Sequence, residues 1–189
     1  MSTYYNFTLI DFAKFKEPPR DADGAYDFHS YKSIENVDCP MIQDTRKNAL
    51  ASGVIDLIYE EIKQGEEEEK MNFITFFGNL YWLNVEQIPN YKDFYLKNEW
   101  GLSELNFDYY SISCESLSKV VALAEKMDFK RIATFMQTPK FTRNQGFKMK
   151  KGKKSTRFSY KEFFQITQGW LNLYQLAIAK KKGLIYDIG

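Results

Sequence analysis

The sequence predicts an α+β fold, with a mixed, mainly antiparallel sheet covered by a long C-terminal helix and two or three other helices. The predicted order is strand, helix, hairpin, strand, helices, hairpin, helix and strand, which lacks the regular alternation of parallel βα units. The composition is globular, with 44% hydrophobic and 27% charged residues, and the 17% aromatic share supplies large core side chains. A chain of 189 residues fits a single α+β domain over 1–189.

The N-terminal elements are a strand and a long connection. Apolar and polar residues alternate over most of 4–10, which predicts a half-buried strand. The 16–39 segment is rich in Pro, Asp, Gly and Ser, so it predicts an irregular loop, and long loops often carry function.

A helix is predicted from an Asp44 cap to Gly65, because its apolar positions share one face. Those positions are Leu50, Val54, Leu57, Ile58 and Ile62. Four consecutive glutamates follow at 66–69, and this like-charge run predicts a solvated turn or, as the alternative, an acidic docking site.

The middle of the chain predicts an aromatic hairpin, a strand and two helices. Segments 71–77 and 80–83 flank Gly78 and Asn79, a two-residue connection typical of β-hairpins. Alternation over 105–112 predicts a further strand, and a helix begins near Ser113. Asp128 is expected to cap a second helix that runs through Gln137.

The C-terminal part predicts two short strands over 147–158, then the longest helix and a last strand. Ser159 and Glu162 have capping-box spacing, and an apolar stripe continues to Ile178. Gly183 is expected to end the helix after three lysines, and 184–188 forms the final strand.

Charge is distributed unevenly along the chain. Residues 1–125 carry a net −11 and residues 126–189 a net +12, although the whole chain is only +1. Either the two parts pack side by side and neutralise one another, or one of them forms a charged face for a partner.

Catalytic and metal-binding motifs are missing from the sequence. Cys39 and Cys114 make neither a disulfide framework nor a zinc site, and the single histidine, His29, is expected at the surface. Phosphate-binding glycine motifs are absent, so no cofactor and no metal are predicted, while carboxylate pairs for acid–base work stay open. The N-terminus has no signal-like pattern and no segment has membrane-spanning length, so we expect a cytoplasmic protein.

One candidate site is readable, a basic segment within 147–158. Its cations lie between Phe147 and Phe158, so it suits a phosphate backbone or an acidic protein partner; the alternative is a plain soluble hairpin tip. The cations are Lys148, Lys150, Lys151, Lys153, Lys154 and Arg157.

Three segments, at 109–128, 170–189 and 5–10, resemble parts of the YfbM-like family of small bacterial proteins. Residues 109–128 are similar to its strand and following helix, 170–189 to its final helix and strand, and 5–10 to its first strand. The resemblance implies an α+β bacterial cytoplasmic protein without an assigned activity, so it supplies no functional residues.

These observations lead to a functional hypothesis, a non-catalytic soluble protein-binding domain. Its specific form is an immunity- or defence-related antagonist that recognises one protein partner, because Tyr and Trp anchor interfaces and an acidic surface suits a basic partner. The alternatives are a nucleic-acid-binding module that uses 147–158, and a small-molecule-binding protein or enzyme with a site near the 16–39 loop. The oligomeric state is left open by the sequence.

Overall fold

The computed structural model describes residues 4–17, 19–24, 27, 34–81, 109–144 and 158–188, and it confirms the α+β class. The strands are β1 Tyr5–Ile10, β2 Glu35–Val37, β3 Tyr109–Ile112 and β4 Gly183–Ile188. The helices are α1 Pro40–Gln43, α2 Thr45–Ile62, α3 Glu67–Tyr81, α4 Cys114–Leu123, α5 Phe129–Met136, α6 Pro139–Asn144 and α7 Tyr160–Ala179, with a 3₁₀ turn at Ala124–Lys126.

The sheet has the order β2-β1-β4-β3, and its pairings are all antiparallel within the described residues. The predicted strands at 4–10 and 184–188 are confirmed, and the predicted strand at 105–112 is confirmed from Tyr109 onward. Its first four residues lie outside the described ranges. Strand β2 was not predicted, since only three residues of the 16–39 segment are extended against β1.

The predicted helix starts at four positions are confirmed, and a side chain caps the helix at each of them. The side chains of Asp44, Ser113 and Asp128 accept hydrogen bonds from the backbone N–H groups of Arg46, Ser116 and Arg131 at 2.9, 3.1 and 2.8 Å. At Ser159 the capping box is complete, because the Glu162 carboxylate also accepts from the Ser159 backbone N–H. These helix starts therefore follow from local side-chain chemistry.

The predicted hairpin at 71–77 and 80–83 is wrong where the structure describes it, because residues through Tyr81 belong to α3. The aromatic run buries Phe73, Phe76 and Phe77 in the core, and a short apolar run does not distinguish a strand from a buried helix. Asn79 donates its side-chain amide to the Thr75 carbonyl within the helix, and its own carbonyl accepts from the Tyr174 hydroxyl of α7 at 3.0 Å. Packing on α7 thus outweighs the turn signal.

The predicted helix stop at Gly183 is also wrong. Helix α7 ends in a Schellman motif, in which the Lys182 N–H bonds the Ala177 carbonyl and Lys181 takes a positive φ of 55°. Gly183 instead opens β4, where an added Cβ would lie 2.2 Å from the Phe12 ring and 2.6 Å from the Ile112 carbonyl oxygen. A close approach between strands therefore requires this glycine.

Trp170 joins α7 to both the sheet and α2. Its ring lies 5.4 Å from the rings of Phe7 and Tyr186 in edge-to-face arrangements, which pack the middle of α7 on β1 and β4. Its indole N–H donates to the Asn48 side-chain oxygen at 2.7 Å, and both residues are buried. This confirms α7 as a cover of the sheet.

Candidate functional site

Acidic residues of the N-terminal part pair with basic residues of the C-terminal part. Glu61 pairs with Lys140, Glu69 with Arg131, and Glu68 lies 3.5 Å from Lys126. Glu35 of β2 pairs with both Lys180 and Lys182, which follow α7. Part of the charge asymmetry along the sequence is thus neutralised by contacts between its two parts, and three of these pairs contribute side chains to one cleft.

The cleft lies between α2, α3 and the 126–135 segment. Its cavity volume is about 50 Å³, and it opens to solvent. Apolar side chains form its floor, while charged side chains stand around them. The floor residues are Ile58, Ile62, Phe73, Met127, Ile132 and Phe135, and the rim residues are Glu61, Glu69, Lys126, Asp128 and Arg131.

The starts of α5 and α3 position side chains of both the floor and the rim of the cleft. Asp128 caps α5, and this sets the phase of the helix so that Ile132 turns inward while Arg131 reaches Glu69 of α3. The first turn of α3 contains Glu67, Glu68 and Glu69, and the helix dipole stabilises negative charges at this end of a helix. The glutamate run predicted as a solvated turn therefore begins a helix, and its last member, Glu69, lines the cleft.

The carboxylates at the rim are engaged in structural contacts. Glu61 and Glu69 are in ion pairs, and Asp128 accepts the capping hydrogen bond. A general acid or base must instead reach a substrate proton. The arrangement is therefore suited to holding an apolar group within a charged surround, which is a binding role.

Two observations concern the thiols and carboxylates elsewhere in the described ranges. Burial, aided by the charge of Asp38, raises the pKa of the Cys39 thiol and so disfavours the nucleophilic thiolate. Among the residues that the structure describes, no three His, Cys, Asp or Glu side chains are grouped to hold a metal ion.

Most of the predicted basic site lies outside the described residues. This applies to Lys148, Lys150, Lys151, Lys153, Lys154 and Arg157, and also to His29. Phe158 is described and is only 6% exposed, so its ring belongs to the core and is not available to stack on a base. The described part of the 16–39 loop lines no part of the cleft; there Arg20 donates to the Gly24 carbonyl at 2.6 Å.

Sequence reasoning missed the cleft because its members come from three separate segments. The one readable signal was the 66–69 glutamate run, whose partners Lys126 and Arg131 lie more than fifty residues further along the chain. Their pairing depends on how α3 packs, and α3 itself was predicted as strands.

No family model, curated protein or solved structure matches this chain. The resemblance to YfbM-like proteins therefore stays a prediction. Within the described ranges, none of the helices combines the length and apolarity that crossing a bilayer requires.

Proposed function

We propose that this chain is a non-catalytic protein-binding domain that recognises one protein partner through the cleft between α2, α3 and α5. In its specific form the domain is a bacterial antagonist of that partner, of the immunity or defence type. The observation that supports this proposal is the apolar floor within a rim of ion pairs.

The layout of the cleft resembles the centre of a protein interface. Binding energy concentrates where an apolar anchor enters a pocket and surrounding groups exclude water. Phe73 and Ile132 are each about 95% buried, so the floor is already well packed and needs little ordering when a partner binds. Because the space opens to solvent, it suits a side chain that projects from a partner's surface.

The rim indicates the chemistry of the partner. Arg131 and Lys126 are about half exposed in their side chains, and Glu69 lies beside them, so both signs of charge surround the floor. A matching partner would carry a large apolar residue flanked by acidic and basic groups. Rim charges of this kind act mainly on association rate and on specificity.

The test is capture of partners by the full tagged chain from a lysate of the source cell, at low and high salt. The cleft variant is Lys126→Glu with Arg131→Glu, which removes the basic rim. Its matched control is Lys14→Glu with Lys119→Glu, which likewise reverses two positive charges. Both lysines belong to exposed ion pairs away from the cleft.

The proposal expects one protein in a defined ratio with the wild type and the control, and at least about tenfold less of it with the cleft variant. Equal recovery by all three proteins would refute the cleft as the site. Recovery of salt-sensitive nucleic acid in place of a protein would refute the proposal and favour the 147–158 alternative.

A further inference from the structure

The outward face of α7 carries no charged side chain over most of its length. From Phe163 to Ala179 there are seventeen residues without Asp, Glu, Lys or Arg, in a chain that is 27% charged. Three of the five large apolar residues exposed in the described ranges border this face, namely Met41, Phe164 and Leu176. Depletion of charge together with exposed aromatic and Met side chains is typical of interface centres.

Four amide side chains run along the middle of this face and define what we call the amide seam. They are Gln165, Gln168, Asn172 and Gln175. Their spacing alternates between three and four residues, which is the heptad spacing of the a and d positions that meet a second helix. Gln168 is partly buried and the other three are exposed.

The seam is symmetric about position 170. Gln165 and Gln175 lie five residues on either side, Gln168 and Asn172 two residues, and the apolar Phe164 and Leu176 six residues. An antiparallel copy of α7, related by a two-fold axis at position 170, therefore places amide against amide in each central layer. Phe164 of one copy lies level with Leu176 of the other, on opposite flanks of the seam.

Hydrogen bonding along the seam is also self-complementary. The Gln168 side-chain NH₂ donates to the Asn172 side-chain oxygen at 2.8 Å. This leaves the side-chain carbonyl of Gln168 as an acceptor and the side-chain NH₂ of Asn172 as a donor for further hydrogen bonds. A two-fold copy presents the same donor and acceptor in reversed order, so the two pairs satisfy each other.

Met41 adds an apolar contact near the same axis. It lies on α1, and its sulfur would be 3.4 Å from a Cβ added to Gly169, one residue from the centre of symmetry. Its side chain is half exposed, so the two-fold brings Met41 of both copies to one side of the seam.

We propose that a second copy of this chain covers this face, through antiparallel pairing of α7 about position 170. The twenty-residue helix spans about 30 Å and supplies only part of the roughly 800 Å² per partner of a standard interface. The dimer is therefore expected to dissociate on dilution, with a Kd on the order of 1–100 µM. The inference is independent of the cleft.

The test is sedimentation equilibrium of the full chain over a range of concentrations, with two variants at the same positions. Gln168→Glu with Asn172→Glu sets like charges against each other in both central layers, and should weaken the dimer at least about tenfold. Gln168→Glu with Asn172→Lys sets opposite charges against each other only if the copies are antiparallel, so this variant should dimerise at least as well as the wild type.

A control for net charge is Gln137→Glu with Ser118→Glu, at exposed positions directly after α5 and on α4. It should leave the dimer unchanged. A wild type that stays monomeric at concentrations on the order of 100 µM would overturn the proposal. So would a dimer indifferent to the double-Glu variant, or an opposite-charge variant as weak as the like-charge one. Far-UV circular dichroism checks that each variant is folded.

Discussion

Replacing Asn48 with alanine should destabilise the protein more than any loss of volume explains. The Asn48 side chain accepts from the Trp170 indole N–H at 2.7 Å and donates to the Ile42 carbonyl at 2.7 Å. It is 3% exposed and Trp170 is 1% exposed, so water does not replace these bonds freely. One side chain thus satisfies polar groups of α1 and α7 from its place on α2.

The magnitude follows from the groups left without partners. An unsatisfied buried donor or acceptor costs about 1–3 kcal/mol, so the two orphaned groups together cost about 2–6 kcal/mol in Asn48→Ala. The Asp44 carbonyl is not orphaned in this variant, because it still accepts from the backbone N–H of residue 48, at 3.2 Å. A domain of this size has about 5–15 kcal/mol in total, so the loss is a large fraction of its stability.

The assay is urea unfolding followed by far-UV circular dichroism. Asn48→Asp is the companion variant, because it keeps the shape and the acceptor for Trp170 but loses the donor and buries a carboxylate; it should be destabilised at least as much. Gln137→Ala, at an exposed position, should change stability by less than about 0.5 kcal/mol. A loss below about 0.5 kcal/mol in Asn48→Ala would refute the reasoning, since two unsatisfied buried polar groups cost more free energy than that.

Two further predictions concern helix packing and pH. Gly169→Ala should lower the melting temperature, since the added Cβ would lie 2.7 Å from a methyl carbon of the buried Ile42. Gly53→Ala should instead raise the stability by about 0.5–1 kcal/mol, because nothing lies within 4 Å of its added Cβ. A gain in stability in both variants would contradict the contact between α1 and α7. The hydrogen bond from Lys180 lowers the pKa of Glu35, so its stabilisation is present above the unfolded pKa and is lost as pH falls through the folded one. Glu35→Gln should therefore cost a few tenths to about 1 kcal/mol at neutral pH. The cost should vanish once the pH lies below the lowered pKa of Glu35, and a cost that persists there would exclude the ion pairs as its source.

The parts of the fold that the sequence predicted are those set by local chemistry. Asp44, Ser113, Asp128 and Ser159 each satisfy backbone groups within three residues, so their helix starts are readable without the tertiary structure. The alternation in β1 correctly predicted a strand, but the prediction that the strand is half-buried is wrong, because Thr8 and Ile10 on its opposite face are buried as well.

The parts that the sequence did not predict depend on contacts between distant segments. Gly78 and Asn79 are residues typical of a turn, but here they lie within α3. The Tyr174 hydroxyl of α7 donates a hydrogen bond to the Asn79 carbonyl, and this contact helps to hold α3 as a helix. Glycine is a typical residue for ending a helix, yet Gly183 lies in β4. There Phe12 and Ile112 of β3 approach so closely that a side chain at this position would clash with them. The candidate cleft belongs to this group, because Glu69 and Arg131 meet only after α3 and α5 have packed.

The most direct test of the proposed binding cleft is amide hydrogen exchange of the full chain, free and bound to the partner recovered by capture. The account predicts slowed exchange in the complex at 58–62, 67–73 and 126–135, the segments that build the floor and rim. The outer face of α7 should be unchanged at a concentration where the chain is monomeric. Protection confined to other segments, with these three unchanged, would contradict the claim that the cleft is the binding surface.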